Sequence, residues 1–89
     1  MADGNSAVLV QYKLAGYAVE FYYQFLARLL SDCKYFLGAG NRYNGVLWAH
    51  EPTAQLRIMR AIYAILPEKP EWTSLDQINR IEAAMVGQN

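Results

Sequence analysis

A chain of 89 residues falls in the one-domain range and can bury only about 60 to 65% of the surface its unfolded form exposes, which leaves one core and little surplus stability. Its hydrophobic share of 54% is above the usual level and its charged share of 18% is below it, which excludes intrinsic disorder. Eight basic and eight acidic side chains cancel, so the chain has neither the basic excess that phosphate neutralisation asks of a nucleic-acid binder nor the acidic excess of a DNA mimic.

Cys33 is the single cysteine. No internal disulfide can form, and short chains outside reducing compartments are usually stapled, so a cytoplasmic location is expected. The apolar stretch 7–19 follows Asp3 instead of basic residues and is cut by Gln11, Lys13 and Gly16. Neither a signal peptide nor a membrane span is expected from it.

In chain order, residues 1–5 are small, polar and rich in turn formers and read as a loose terminus. From 6 to 16 the pattern is two-sided. Val8, Val10 and Tyr12 alternate as in a strand, while Ser6 suits a helix cap, and the reading leans to helix. From 17 to 37, Val19, Tyr22, Tyr23, Leu26, Leu29, Leu30, Cys33, Phe36 and Leu37 recur at three- and four-residue steps, which predicts a long helix ended by Gly38 and Gly40. Residues 38–45 form a loop dense in glycine and asparagine. Pro52 opens a second helix with Leu56, Met59, Ile62, Tyr63 and Leu66 as its stripe, and Pro67 ends it. After the stiff run 67–72, Thr73 or Ser74 caps a third helix, Ser74 with Gln77 fitting a capping box, and Leu75, Ile78, Ile81 and Met85 form its buried side. The expected architecture is all-α: a small domain of three to four helices with a long first helix and an irregular Gly/Asn-rich loop. An N-terminal segment, 1–16, partly flexible and helical in this reading, precedes a compact helical domain, 17–89.

The chemistry-bearing residues are sparse. His50 is the single histidine, and one histidine, one cysteine and scattered carboxylates make neither a zinc set nor a catalytic triad. No catalysis, metal or cofactor is expected. The glycines at 38 and 40 follow a helix, whereas a phosphate-binding loop follows a strand and opens a helix. Arg42 is expected to bond carbonyls left open at the preceding helix end, or else to touch a partner. Trp48 and Trp72 read as core, Trp72 as the staple before the third helix, with an anchoring role as the alternative for Trp48. Cys33 reads as a small buried hydrophobe. At about 100° per residue, Phe21, Arg28 and Tyr35 line up opposite the apolar face of the long helix, with Gln24, Phe25 and Asp32 beside them. Large aromatics there need cover, from the N-terminal segment, a twin or a partner. Ile58 and Ile65, off the stripe of the second helix, raise the same question.

The order Asp32-Cys33-Lys34-Tyr35-Phe36-Leu37-Gly38, Gly40-Asn41-Arg42, Leu47-Trp48, then Pro67-Glu68-Lys69-Pro70-Glu71-Trp72 resembles the large polyvalent protein-associated domains, small helical domains of proteins from phages and conjugative elements. Lys34 departs from it, standing where an acidic residue is common, and the stretch before Tyr17 lies outside it. The resemblance implies a stand-alone version of a module that travels with mobile DNA in a bacterial host: a non-enzymatic protein-binding module of a phage, prophage or plasmid, with anti-CRISPR or anti-restriction inhibition of a host defence complex as its expected work. The candidate contact residues are Phe21, Arg28, Asp32, Tyr35, Asn41, Arg42, Tyr43 and Trp48. Two other readings compete: nucleic-acid binding through Arg28, Arg42, Arg57 and Arg60 with nearby tyrosines, and a homodimeric scaffold.

Overall fold

The computed structural model describes residues 4–86. Four helices, α1 (Gly4–Gln11), α2 (Val19–Leu37), α3 (Pro52–Ile65) and α4 (Leu75–Val86), are joined by connections that include one 3-10 turn, Asn44–Val46. No strand occurs among the described residues, and the fold is all-α. The long helix is therefore the second, not the first. The loose terminus expected at 1–5 lies outside the described residues for 1–3, and Gly4 and Asn5 already belong to α1.

The two-sided N-terminal pattern resolves as helix. α1 has almost no amphipathic character and buries only Leu9, so it is held by what it packs on, which is α3. It closes where Lys13 adopts a left-handed φ of 61° and the Leu14 N–H donates to Leu9 O at 2.7 Å. Leu14 then turns into the core.

α2 is the amphipathic helix its spacing predicted, burying Tyr22, Phe25, Leu26, Leu29, Leu30, Cys33 and Phe36. It starts two residues later than the periodicity suggested, and Val19, expected on the buried face, is exposed in the first turn, one turn short of the first buried residue, Tyr22. The following loop closes the helix with its own backbone. The Gly38 N–H donates to Lys34 O and Tyr35 O, the Gly40 N–H to Tyr35 O at 2.6 Å and the Arg42 N–H to Phe36 O at 2.8 Å. Only glycine fits at 40, since a Cβ there would stand 2.7 Å from Tyr35 O and 2.9 Å from the Tyr35 ring.

α3 packs against α1, α2 and α4. A helix with three neighbours buries more than one stripe, and this corrects the expectation for Ile58, which is completely buried with Gln55, Leu56, Met59 and Ile62. Ile65, in the last turn, stays partly exposed. The stiff connection after it is pinned near its start. The Tyr23 hydroxyl donates to Glu68 O at 2.5 Å and accepts from Glu68 N–H, while Lys69 Nζ donates to Tyr63 O, Ala64 O and Leu66 O and lies over the Tyr63 ring. Those contacts satisfy carbonyls that the end of α3 leaves open.

The Ser74 hydroxyl accepts from the Gln77 N–H at 3.1 Å, as the capping pattern predicted. Ile78, Ile81 and Met85 are buried, but Leu75 is exposed, and so is Trp72, at 46%. Both were expected inside. In an extended approach to a helix, neighbouring side chains point to opposite sides. Thr73 takes the buried place, so Trp72 faces solvent.

Candidate interaction surface

Two of the sequence-selected contact residues turn out to tie the interior together. Asp32, in α2, accepts from the Trp48 N–H through Oδ2 at 3.2 Å, and the half-buried Trp48 ring meets Phe25 edge-on with centroids 5.1 Å apart. Beside them Gln55, in α3 and fully buried, accepts from the Ala49 N–H at 2.9 Å and donates to Leu29 O at 3.2 Å. One amide thus joins α2, the loop before α3 and α3 itself. The Cys33 thiol is completely buried with Met59 Sδ 3.6 Å away. Burial pushes its pKa up to about 12, Asp32 adds to the rise, and a hydrogen bond with Gln55 opposes it. It is no thiolate at neutral pH.

A second group lies on the loop after α2. Asn41 and Arg42 adopt left-handed φ values of 55° and 61°. Arg42 bonds helix-end carbonyls as anticipated, but those of a different helix: Nη2 donates to Ala84 O at 3.0 Å and Nη1 to Met85 O at 3.4 Å, at the C-terminal end of α4. The carbonyls at the end of α2 are taken by the loop's own N–H groups, which leaves the guanidinium free to reach across. Asn41 is exposed, Tyr43 is 69% exposed and Tyr35, near the end of α2, is 53% exposed. His50 is exposed on a left-handed turn, and no group of three metal-ligating side chains occurs among the described residues.

The third group is the outer face of α2. Tyr17 stacks on Phe21 with centroids 4.2 Å apart, and Phe21 stacks on Phe25 at 5.3 Å, so Tyr17, Phe21, Phe25 and Trp48 form one ladder of rings. Tyr17 is set in place because its N–H donates to the Tyr22 hydroxyl, which in turn donates to Leu14 O at 2.7 Å. A shallow, open depression beside the ladder is lined by Phe21, Gln24, Phe25 and Arg28. Among the described residues, α1 packs mainly on α3. Phe21 is half-buried among Tyr17, Tyr22 and Phe25, and Tyr35 is exposed. Arg42, Arg60 and Arg80 are engaged by the α4 carbonyls, by Glu82 with Asn79, and by Asp76. Arg28 has no hydrogen bond or ion pair among the described residues.

The structure thus brings Phe21 and Arg28 together, places Asp32 and Trp48 behind them as internal ties, and sets Asn41, Arg42 and Tyr43 apart on the loop. Sequence reasoning passed over Tyr17 and counted Phe25 only as a neighbour. Phe21 and Phe25, four apart on α2, share a helix face, whereas Tyr17 precedes the helix and is brought onto Phe21 by its bond to the Tyr22 hydroxyl.

The fold defines a small all-α domain in which no helix of the described residues is long and apolar enough to cross a membrane. Residues 19–85 match the model of a family described as Large polyvalent protein-associated domain 11, and the chain belongs to that family. The family is associated with polyvalent proteins of phages and other mobile elements. The match begins with α2 and stops within α4, so α1 lies outside it although it packs on α3. No curated protein and no solved structure matches the chain.

Proposed function

We propose that this domain is a non-enzymatic protein-binding module carried by a phage, prophage or plasmid, and that it serves as a counter-defence inhibitor by occupying a surface of a host CRISPR or restriction complex in the bacterial cytoplasm. The observation that carries the binding role is the set of aromatic side chains left outside a well-filled core: Tyr17, Tyr35, Tyr43 and Trp72. Tyrosine and tryptophan dominate binding hot spots because each brings a large rigid apolar area with a polar handle. The polar groups of the interior, Asp32 and Gln55, are occupied in holding helices together, and the one thiol is buried and neutral, which supports binding over catalysis. The counter-defence role rests on the family.

The test is expression of the chain in bacteria that carry a CRISPR or restriction system, with plating of a phage which that system restricts. Plating should recover, a tagged chain should co-purify with the defence complex, and Tyr43→Ala with Trp72→Ala should abolish both while the helical content stays unchanged. Unchanged plating across systems, with no complex retained, would sink the proposal. Nucleic acid is the weaker reading. Arg42 and Arg60 are already engaged inside the fold, and the stacked rings spend their faces on one another.

A further inference from the structure

We infer that α2 pairs with α2 of a second copy of this chain, antiparallel, about a two-fold axis through Gln24. At about 100° per residue, Glu20, Gln24, Arg28 and Ser31 share the outer side of α2, flanked by Phe21 and Ala27. All are exposed except Phe21, which is half-buried. An interface between identical surfaces must be self-complementary, each residue meeting the residue that the axis exchanges it with. An axis at Gln24 exchanges Glu20 with Arg28 and Phe21 with Ala27. The Phe21 ring then meets the small Ala27, as a knob meets a hole, and each charge meets its opposite. Gln24 meets its own copy, one amide donating where the other accepts.

The charges argue for this occupant and this register. Glu20 and Arg28 have no ion-pair partner among the described residues, and at eight residues apart they are separated by about 12 Å along the helix, too far to pair within one chain. The two-fold supplies each with the other, twice. Moving the axis two residues toward Arg28 sets Glu20 against Asp32, and moving it a full turn sets the two guanidiniums together. Like charges across a covered interface are strongly unfavourable. The depression lined by Phe21, Gln24, Phe25 and Arg28 lies beside the axis. The pairing leaves Tyr43 and Trp72 open, so it stands or falls independently of the counter-defence role.

Sedimentation velocity of the full chain, up to high micromolar concentration, tests it. The wild-type chain should dimerise. Glu20→Arg and Arg28→Glu, each alone, should associate at least about a hundredfold more weakly, because each places like charges together twice. An equimolar mixture of the two variants should dimerise again, as should the doubly reversed chain, since both restore opposite charges across the axis. All substituted positions are exposed, and circular dichroism verifies that each variant keeps its helices. A wild-type chain that stays monomeric overturns the proposal and assigns the face to a foreign partner. Dimers that survive either single reversal, or a mixture that stays monomeric, overturn it as well.

Discussion

Replacing Gln55 by leucine isolates the one buried amide that joins three parts of the fold. The side chains are close in volume, so no sizeable cavity opens, and what is lost is polar. Two bonds to the backbone disappear, from the Ala49 N–H and to Leu29 O, each worth about 0.5 to 1.5 kcal/mol net, and with them the weaker contact to the Cys33 thiol. Leu29 lies in the middle of α2, where the helix ladder still occupies its carbonyl. The Ala49 N–H has Gln55 as its acceptor, and orphaning it adds to the cost, for a total of about 2 to 4 kcal/mol. A domain of this length has about 5 to 10 kcal/mol of stability, so urea unfolding followed by circular dichroism should show a clear drop in midpoint with an unchanged slope. Gln55→Glu is the companion. A protonated carboxyl can donate to Leu29 O and accept from the Ala49 N–H, so at acid pH this variant should approach the wild type. Burial raises the folded carboxyl's pKa above its unfolded value of about 4.3. As pH climbs past that value, the unfolded chain gives up its proton first, and stability falls by up to about 1.4 kcal/mol per unit until the folded carboxyl ionises too. A leucine variant that loses under about 1 kcal/mol, or a glutamate variant indifferent to pH, would refute this account of the tie.

Two further outcomes follow from named contacts. Arg42→Ala loses the bonds to Ala84 O and Met85 O and keeps the left-handed backbone, and should cost about 1 kcal/mol, whereas Arg42→Gly loses the same bonds but relieves a conformation that disfavours side chains by about 1 kcal/mol. The glycine variant should therefore unfold nearer the wild type than the alanine variant, and equal melting of the two would show that the left-handed turn is not held. The buried Cys33 thiol, pushed up to about 12 from an ordinary value of 9.0, should resist a thiol-reactive disulfide reagent at neutral pH until the chain is unfolded. Because the unfolded thiol ionises first, its contribution is constant below pH 9.0 and is lost between 9.0 and about 12, a fall that comparison with Cys33→Ala isolates from tyrosine and lysine titration.

The three helices with strong apolar periodicity, α2, α3 and α4, were legible from the residues, as were the glycine stop after Leu37, the proline at the start of α3 and the Ser74 cap. Those signals are local: one helix face, one turn geometry, one side chain reaching three residues along. What stayed hidden depends on how many neighbours an element has. Ile58 is buried because α3 has helices on three sides, and no stripe count on α3 alone reports that. Trp72 faces out because Thr73 faces in, a parity that hydrophobicity ranks the wrong way. α1 shows a weak pattern because α3 imposes its place. Among the contact candidates, the line through Phe21 and Arg28 was readable from the helical angle. The ties of Asp32 to Trp48 and of Arg42 to α4 link residues 16 to 43 positions apart, beyond any local pattern.

The division of labour among these residues bears on what membership of the family conveys. The motifs that carry the resemblance are largely spent inside the molecule: Asp32 and Trp48 on each other, Gly40 on the close approach of Tyr35, Arg42 on the end of α4, Lys69 on the end of α3. Each such contact fixes where a helix ends or which helix it meets, so the motif specifies a scaffold. Glu20, Gln24 and Arg28, by contrast, lie before the first motif residue, Asp32, and their side chains have no hydrogen bond or ion pair among the described residues. Nothing in the packing constrains their identity, so substitutions there can change what the domain binds at little cost to the fold, and two members of the family can share every internal tie yet recognise different surfaces. A charge reversal at Arg28 and a truncation at Asp32 should therefore separate cleanly, the first altering association at unchanged stability and the second lowering stability by freeing the loop at Trp48.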